Sequence, residues 1–218
     1  ALNRSSKWPK PKEMSKKEIK TVINDFKKTA KFAYSAGYDG IEIHMAHGYL
    51  IHQFCSRSSN IRKDEYGLTN INNFKFALEI LKQINKIKPK NKIIGARVTG
   101  DDHVRGGIKL NNSIELIKQL KKNGLDYVCV SSGGILPKTG MKFKKGFRIQ
   151  MASMIKKICK IKTRTSGLID DVSTIKKAFS KNLDFVALGR ILIKRKYFLY
   201  EEGLLKEKEI EKQYKFCL

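Results

Sequence analysis

Acid is what this chain has least of. Its 20 Asp and Glu stand against 46 Lys and Arg, a net charge of +26. A surplus of that size raises nucleic acid or an anionic membrane surface as partners. The lysines, however, are spread over nearly every helical stretch and interleaved with Ile and Asn. All three residues have AT-rich codons, so base composition can produce such a bias. The reading is general electrostatic adhesion with no specific nucleic acid; a basic nucleic-acid-binding module stays open as an alternative. Long apolar runs are missing too. None approaches the ~18 residues that a membrane span needs, so no membrane partner is expected. The start, Ala-Leu-Asn-Arg-Ser-Ser-Lys-Trp-Pro, lacks an apolar signal core, and cytoplasm is the expected compartment. A first residue other than Met reads as a trimmed or partial chain. The four cysteines, at 55, 129, 159 and 217, form no CxxC, and their intervals suit neither zinc nor a compact disulfide framework. Reduced thiols are expected, with Cys129 a small core residue inside a strand.

With 218 residues, 41% of them hydrophobic, the chain can bury one sizeable core. It reads as a single domain over 1–218, with an extended polar arm at 1–14 and a charged tail at 199–218. Ser15 with Glu18 has the form of a capping box. Apolar residues at helical spacing follow, from Ile19 to about Ala36. Strands are expected at 40–44, 93–98, 125–130, 163–166 and 183–188, and helices at 70–87, 112–123, 149–159 and 172–179. Residues 45–68 read as a long loop with some helical turns. Alternation of this kind implies a parallel sheet. No internal repeat is visible. Leu136-Pro-Lys-Thr-Gly140 has the form of a cell-wall sorting pentapeptide, but strands follow it, and it reads as coincidence.

The chain is organised around residues 36–54. Gly37 stops a helix, and Gly40-Ile-Glu-Ile-His44 reads as a buried strand. His44, His47 and Tyr49 then fall at its carboxyl end, where parallel α/β folds place their sites. The run Gly37-Tyr-Asp-Gly-Ile-Glu-Ile-His-Met-Ala-His-Gly-Tyr-Leu-Ile-His-Gln-Phe54, with Ser59-Asn60 and Arg62-Lys-Asp-Glu-Tyr-Gly67, resembles the old yellow enzyme family of FMN-dependent NAD(P)H oxidoreductases. Two histidines three apart resemble its bacterial ene-reductase subclass. The resemblance implies a (β/α)8 TIM barrel, of which the five βα units here correspond to strands four to eight. It implies FMN as cofactor, NADPH or NADH as reductant, and an activated alkene as substrate. The missing strands imply a split gene with a complementary N-terminal half-barrel chain, a fragment, or an inactive copy. A homo-oligomer is another possible assembly.

The same resemblance makes His44 and His47 donors to a substrate carbonyl, and Tyr49 the proton donor, since a phenol is protonated at neutral pH. Without it, the histidines equally read as structural and Tyr49 as a loop residue packing on the core. A metal reading of His44, His47, His52 and Cys55 fits no zinc spacing. Arg97, in the middle of a strand, needs a partner. It matches the arginine beside the flavin ring, where positive charge stabilises the anionic reduced form; a buried ion pair is the alternative. Gly167 and the pair Gly189-Arg190 follow strands, as do Ser132 and Gly133 within Ser131-Ser-Gly-Gly134. Backbone amides at such turns bind phosphate, and barrels often place it after their last two strands. Gly189-Arg190 therefore reads as the FMN phosphate clamp, with Ser132, Gly133 and Gly167 bordering the cofactor by resemblance. The chain departs from the family at Cys55-Ser-Arg-Ser58, where a proline is lost. It also departs at Lys162-Thr-Arg-Thr-Ser166, which is more polar than the family's strand, and at its Tyr214-Lys-Phe-Cys-Leu end.

Overall fold

A computed structural model describes residues 11–68, 73–136 and 140–206. Most of the arm, the middle of the Leu136–Gly140 pentapeptide, Cys217 and the end of the charged tail lie outside the described residues. The chain begins with α1 (Lys16–Ser35), capped at Ser15. The Ser15 hydroxyl accepts from the Glu18 amide at 3.2 Å, and the Glu18 carboxylate accepts from the Ser15 amide at 2.6 Å, so two otherwise orphaned donors are satisfied together. The α1 face carrying Ile19, Ile23, Ala30 and Tyr34 is buried. Strand β1 (Gly40–Met45) follows, then α2 (Leu50–Cys55), α3 (Lys75–Asn85), β2 (Ile93–Thr99), α4 (Leu110–Lys122) and β3 (Tyr127–Ser131). After these come α5 (Ile149–Cys159), β4 (Lys162–Thr165), α6 (Val172–Ser180), β5 (Phe185–Val186), α7 (Arg190–Lys194) and α8 (Phe198–Glu201).

The five strands pair in sequence order, β1-β2-β3-β4-β5, and every neighbour is parallel. Each strand returns to the next through a helix, the arrangement of consecutive units of a (β/α)8 barrel. Period two divides the sheet into two chemically different faces. Ile43, Met45, Ile94, Ala96, Val98, Val128 and Val130 join the apolar cluster formed with α1, α3, α4 and α5. Each of these side chains is fully or almost fully buried, worth about 1.5–3 kcal/mol for an Ile or Val.

The other face carries Glu42, His44, Gly95, Arg97, Tyr127, Cys129 and Arg164, by the same alternation. The Tyr127 hydroxyl donates to Glu42 at 2.9 Å, and Arg164 makes an ion pair with the same carboxylate. Gly95 makes room for the Tyr127 ring, because a Cβ there would lie 2.2 Å from it. The polarity of the 162–166 stretch is thereby explained: Arg164 neutralises Glu42, while Thr163 and Thr165 point to the buried side. Cys55, Cys129 and Cys159 are buried and free.

The helical turns expected within the loop 45–68 are α2. Two elements differ from the sequence reading. The last strand is two residues long instead of six, since β5 has one sheet neighbour, β4, among the described residues. A short helix, α7, starts at Arg190 where none is expected. No helix among the described residues is long and apolar enough to cross a membrane.

Candidate functional site

The loop after β1 is held by close backbone packing. His47 and Gly48 both have positive φ, 60° and 73°. A side chain on Gly48 would sit 2.3 Å from the Gly134 carbonyl, and one on Gly134 would sit 2.6 Å from the His47 Cα. The two glycines let the loops after β1 and β3 touch main chain to main chain, so His47 stands against Ser131. Its Nε2 lies 2.5 Å from the Ser131 hydroxyl. The His44 and His47 rings are 5.2 Å apart, and the Tyr49 ring is 5.1 Å from His44. Burial and then the Arg97 guanidinium lower the pKa of both histidines, that of His47 to about 4. Both imidazoles are therefore neutral at neutral pH, each with one N–H to donate. Tyr49 is exposed.

A buried pair that the sequence reading missed fixes this loop. His52 and Asp102 are fully buried. The Gly48 amide donates to His52 Nδ1 at 2.7 Å, which leaves the imidazole proton on Nε2. That nitrogen lies 3.3 Å from Asp102 Oδ2 and 3.2 Å from Oδ1. Oδ2 also accepts from the Ser56 hydroxyl at 3.3 Å and the Ile108 amide at 2.8 Å. One carboxylate thus ties the loop after β2 to α2 and, through His52, to the residue between His47 and Tyr49. His52 is committed to this pair, not to a metal. The signal for it was weak, because the partners are 50 residues apart, with α3 and β2 between them.

Arg97 is the register partner of His44 across β1 and β2. Its Nε is buried without a hydrogen-bond partner, and no carboxylate pairs with it among the described residues. It lines a cleft of about 410 Å³ together with Arg148, Ser166 to Asp170, Ala187 to Ile191 and Lys194. Gly167, Gly189 and Arg190 are therefore in one cleft with Arg97. Ser132 and Gly133 are not among its lining residues. The Gly133 amide is already taken by the Asp101 carbonyl at 2.9 Å, and the Ser132 hydroxyl accepts from Arg148 Nε at 2.7 Å. Arg148 is the cationic residue the sequence reading passed over, because the start of a helix gave it no motif. Four cations face one carboxylate, Asp170, in the cleft, and Asp170 is engaged by Lys145 at 3.2 Å. Such a set holds an anion.

A parallel βα sheet with a polar, cationic rim at the strands' carboxyl ends defines a barrel enzyme's binding side. The comparisons make this specific: residues 2–201 match the NADH:flavin oxidoreductase / NADH oxidase family, and the chain belongs to it, as the old yellow enzyme motif in 37–54 indicates. It is 41% identical over 213 residues to an NADPH dehydrogenase of Clostridium acetobutylicum, covering 97% of this chain and 62% of that protein. A Listeria innocua NADPH dehydrogenase is 36% identical over 217 residues, covering 98% and 63%. The chain therefore spans a little under two thirds of these relatives. Among solved structures, morphinone reductase superposes with a TM-score of 0.70 at 23% identity, covering 90% of this chain and 52% of that one. A 2-naphthoyl-CoA reductase complex superposes with a TM-score of 0.76 at 24% identity, covering 88% and 30%. These likenesses establish the fold as part of a TIM barrel.

Proposed function

We propose that this chain supplies the substrate-activating and phosphate-binding side of an FMN-dependent NAD(P)H oxidoreductase that reduces activated alkenes. The observation that carries the reading is the juxtaposition of two neutral imidazoles and a phenol with a cleft of unneutralised guanidinium groups. The residues suit FMN: the Arg97 Nε lacks a partner in the protein, and the cleft's cations exceed its carboxylates. Arg97 would face the isoalloxazine, and Gly167, Gly189 and Arg190 the phosphate, with Ser132 set behind Arg148, whose Nε it accepts from. When bound, the flavin supplies a hydride that originates in NADPH or NADH.

The protein's own groups do the rest. His44 and His47 donate hydrogen bonds to the substrate carbonyl and stabilise negative charge as it develops there. Neutral imidazoles suit this role, since they bind without adding a proton to the carbonyl. Tyr49 gives its proton to the carbon next to that carbonyl. Arg97 holds positive charge beside the electron-rich ring.

The test is spectroscopic and kinetic. Purified protein with added FMN should turn yellow and, with dioxygen excluded so that it cannot reoxidise the flavin, turn over NADPH continuously only when an enone such as cyclohexenone is present. Tyr49→Phe should lower enone-dependent turnover by about 10²- to 10⁴-fold and leave reduction of the flavin by NADPH unchanged. A colourless protein that takes up no FMN overturns the reading. A second reading, in which binding needs a complementary chain that completes the barrel, is favoured by one fact. The chain matches only 62–63% of its relatives' length.

A further inference from the structure

We propose that Arg148 is a second phosphate-binding guanidinium of the cleft, acting opposite Arg190 on the phosphomonoester of the flavin nucleotide. The inference rests on the FMN reading and deepens it.

Arg148 is placed where a cation is electrostatically uphill. It is the N-cap residue of the 11-residue α5, whose first turn contains no acid. The positive end of the helix dipole disfavours a guanidinium there. Burial and then the charge of Arg97 push its pKa down to about 10. No carboxylate pairs with it among the described residues. A group kept in such a position needs an anion that the protein does not itself provide.

The side chain is nevertheless held firmly. Nε donates to the Ser132 hydroxyl at 2.7 Å and Nη2 to the Ser132 carbonyl at 3.4 Å. The Phe147 ring stacks 4.3 Å from the guanidinium carbon. Gly167 is shaped around the same head group, because a Cβ there would lie 2.9 Å from Nη1. Nη1 is therefore the nitrogen left for a ligand, and it sits at the turn after β4.

That location selects the phosphate over the ring. Gly167 and Gly189 follow the last two strands of the sheet, the rim where barrels often bind phosphate. Arg97 instead lies within its strand, level with His44. Arg190 lines the cleft as well, so Arg148 through Nη1 and Arg190 through its guanidinium together offer charged N–H donors to a dianion.

The experiment compares FMN with riboflavin, which lacks only the phosphate, by quenching of flavin fluorescence in wild type, Arg148→Gln and Arg148→Lys. Wild type should bind FMN well above riboflavin. Arg148→Gln should weaken FMN by about 10- to 100-fold and leave riboflavin within twofold. Arg148→Lys, which keeps the charge without the planar head group that Ser132 holds in place, should fall between, and it carries the comparison if the Gln variant does not fold. Equal losses for the two flavins, or no loss for either, overturn the assignment of Arg148 while leaving FMN binding intact. Wild type that binds neither flavin overturns the FMN reading, and this assignment with it.

Discussion

His47 is where residue-level electrostatics make a prediction that does not depend on any ligand. In the folded chain its pKa is about 4, depressed first by burial and then by Arg97, against roughly 6.5 when unfolded. The unfolded chain therefore binds more protons between those two values, and stability rises with pH across that window. The contribution is fully present above about 6.5 and is lost progressively as pH falls toward the folded value. His44, lowered by burial and then Arg97 as well, adds in the same direction. Thermal melts between neutral and acid pH should show the wild type losing more of its midpoint than His47→Gln, which has nothing to titrate there. Parallel losses in the two proteins contradict the assignment. The same depression keeps both imidazoles neutral for carbonyl binding, so stability and chemistry draw on one arrangement of charge.

Among the elements, the loops at the strands' carboxyl ends hang on Asp102. Replacing it by Ala leaves His52 Nε2 and the Ile108 amide buried without their acceptor, while the Ser56 hydroxyl keeps Ser58 at 2.8 Å. A cost of roughly 1–3 kcal/mol per orphaned donor is expected. Urea unfolding should read it as a lower midpoint, and His52→Ala added on top should cost far less than it does alone, because the two act as one unit. A loss under about 1 kcal/mol, or simple additivity, would show that the pair is incidental. Much of the element level was legible: the capping box at Ser15 and the apolar period of α1 were written in residues a few positions apart. The same holds for β1, whose alternation and following histidines are local. What escaped is what depends on distance. His52 and Asp102 meet only after the sheet forms. Arg148 acquires meaning only when Gly167 arrives beside it, and Arg164 reads as a misplaced charge until Glu42 stands across two strands. α7 escaped for a different reason, since a five-residue helix is too short to show a period.

At the scale of the whole chain, the decisive feature is that the sheet runs from β1 to β5 without closing among the described residues. Among the described residues β1 pairs only with β2, and β5 only with β4. Open edges with unpaired amides and carbonyls are templates for another chain. Closure alone removes them from a barrel. The helix-free face adds to the exposure: Glu42, Tyr127 and Arg164 satisfy one another there, yet Phe185 remains 45% exposed at the β5 end. Against association stands the net charge of +26, which repels like chains at low salt and is screened at high salt. The balance predicts a salt-dependent outcome. Sedimentation velocity on this chain alone should show a monomer at low ionic strength and concentration-dependent self-association above about 0.3 M salt, where the Debye length falls well under 10 Å. Adding a chain that carries the three preceding βα units of a relative should suppress self-association and yield a stoichiometric complex, since both would compete for the same edges. A chain that stays monomeric at every salt concentration, and ignores the added half, would mean that its edges are protected by its own residues. The complementary half-barrel would then have no place to dock.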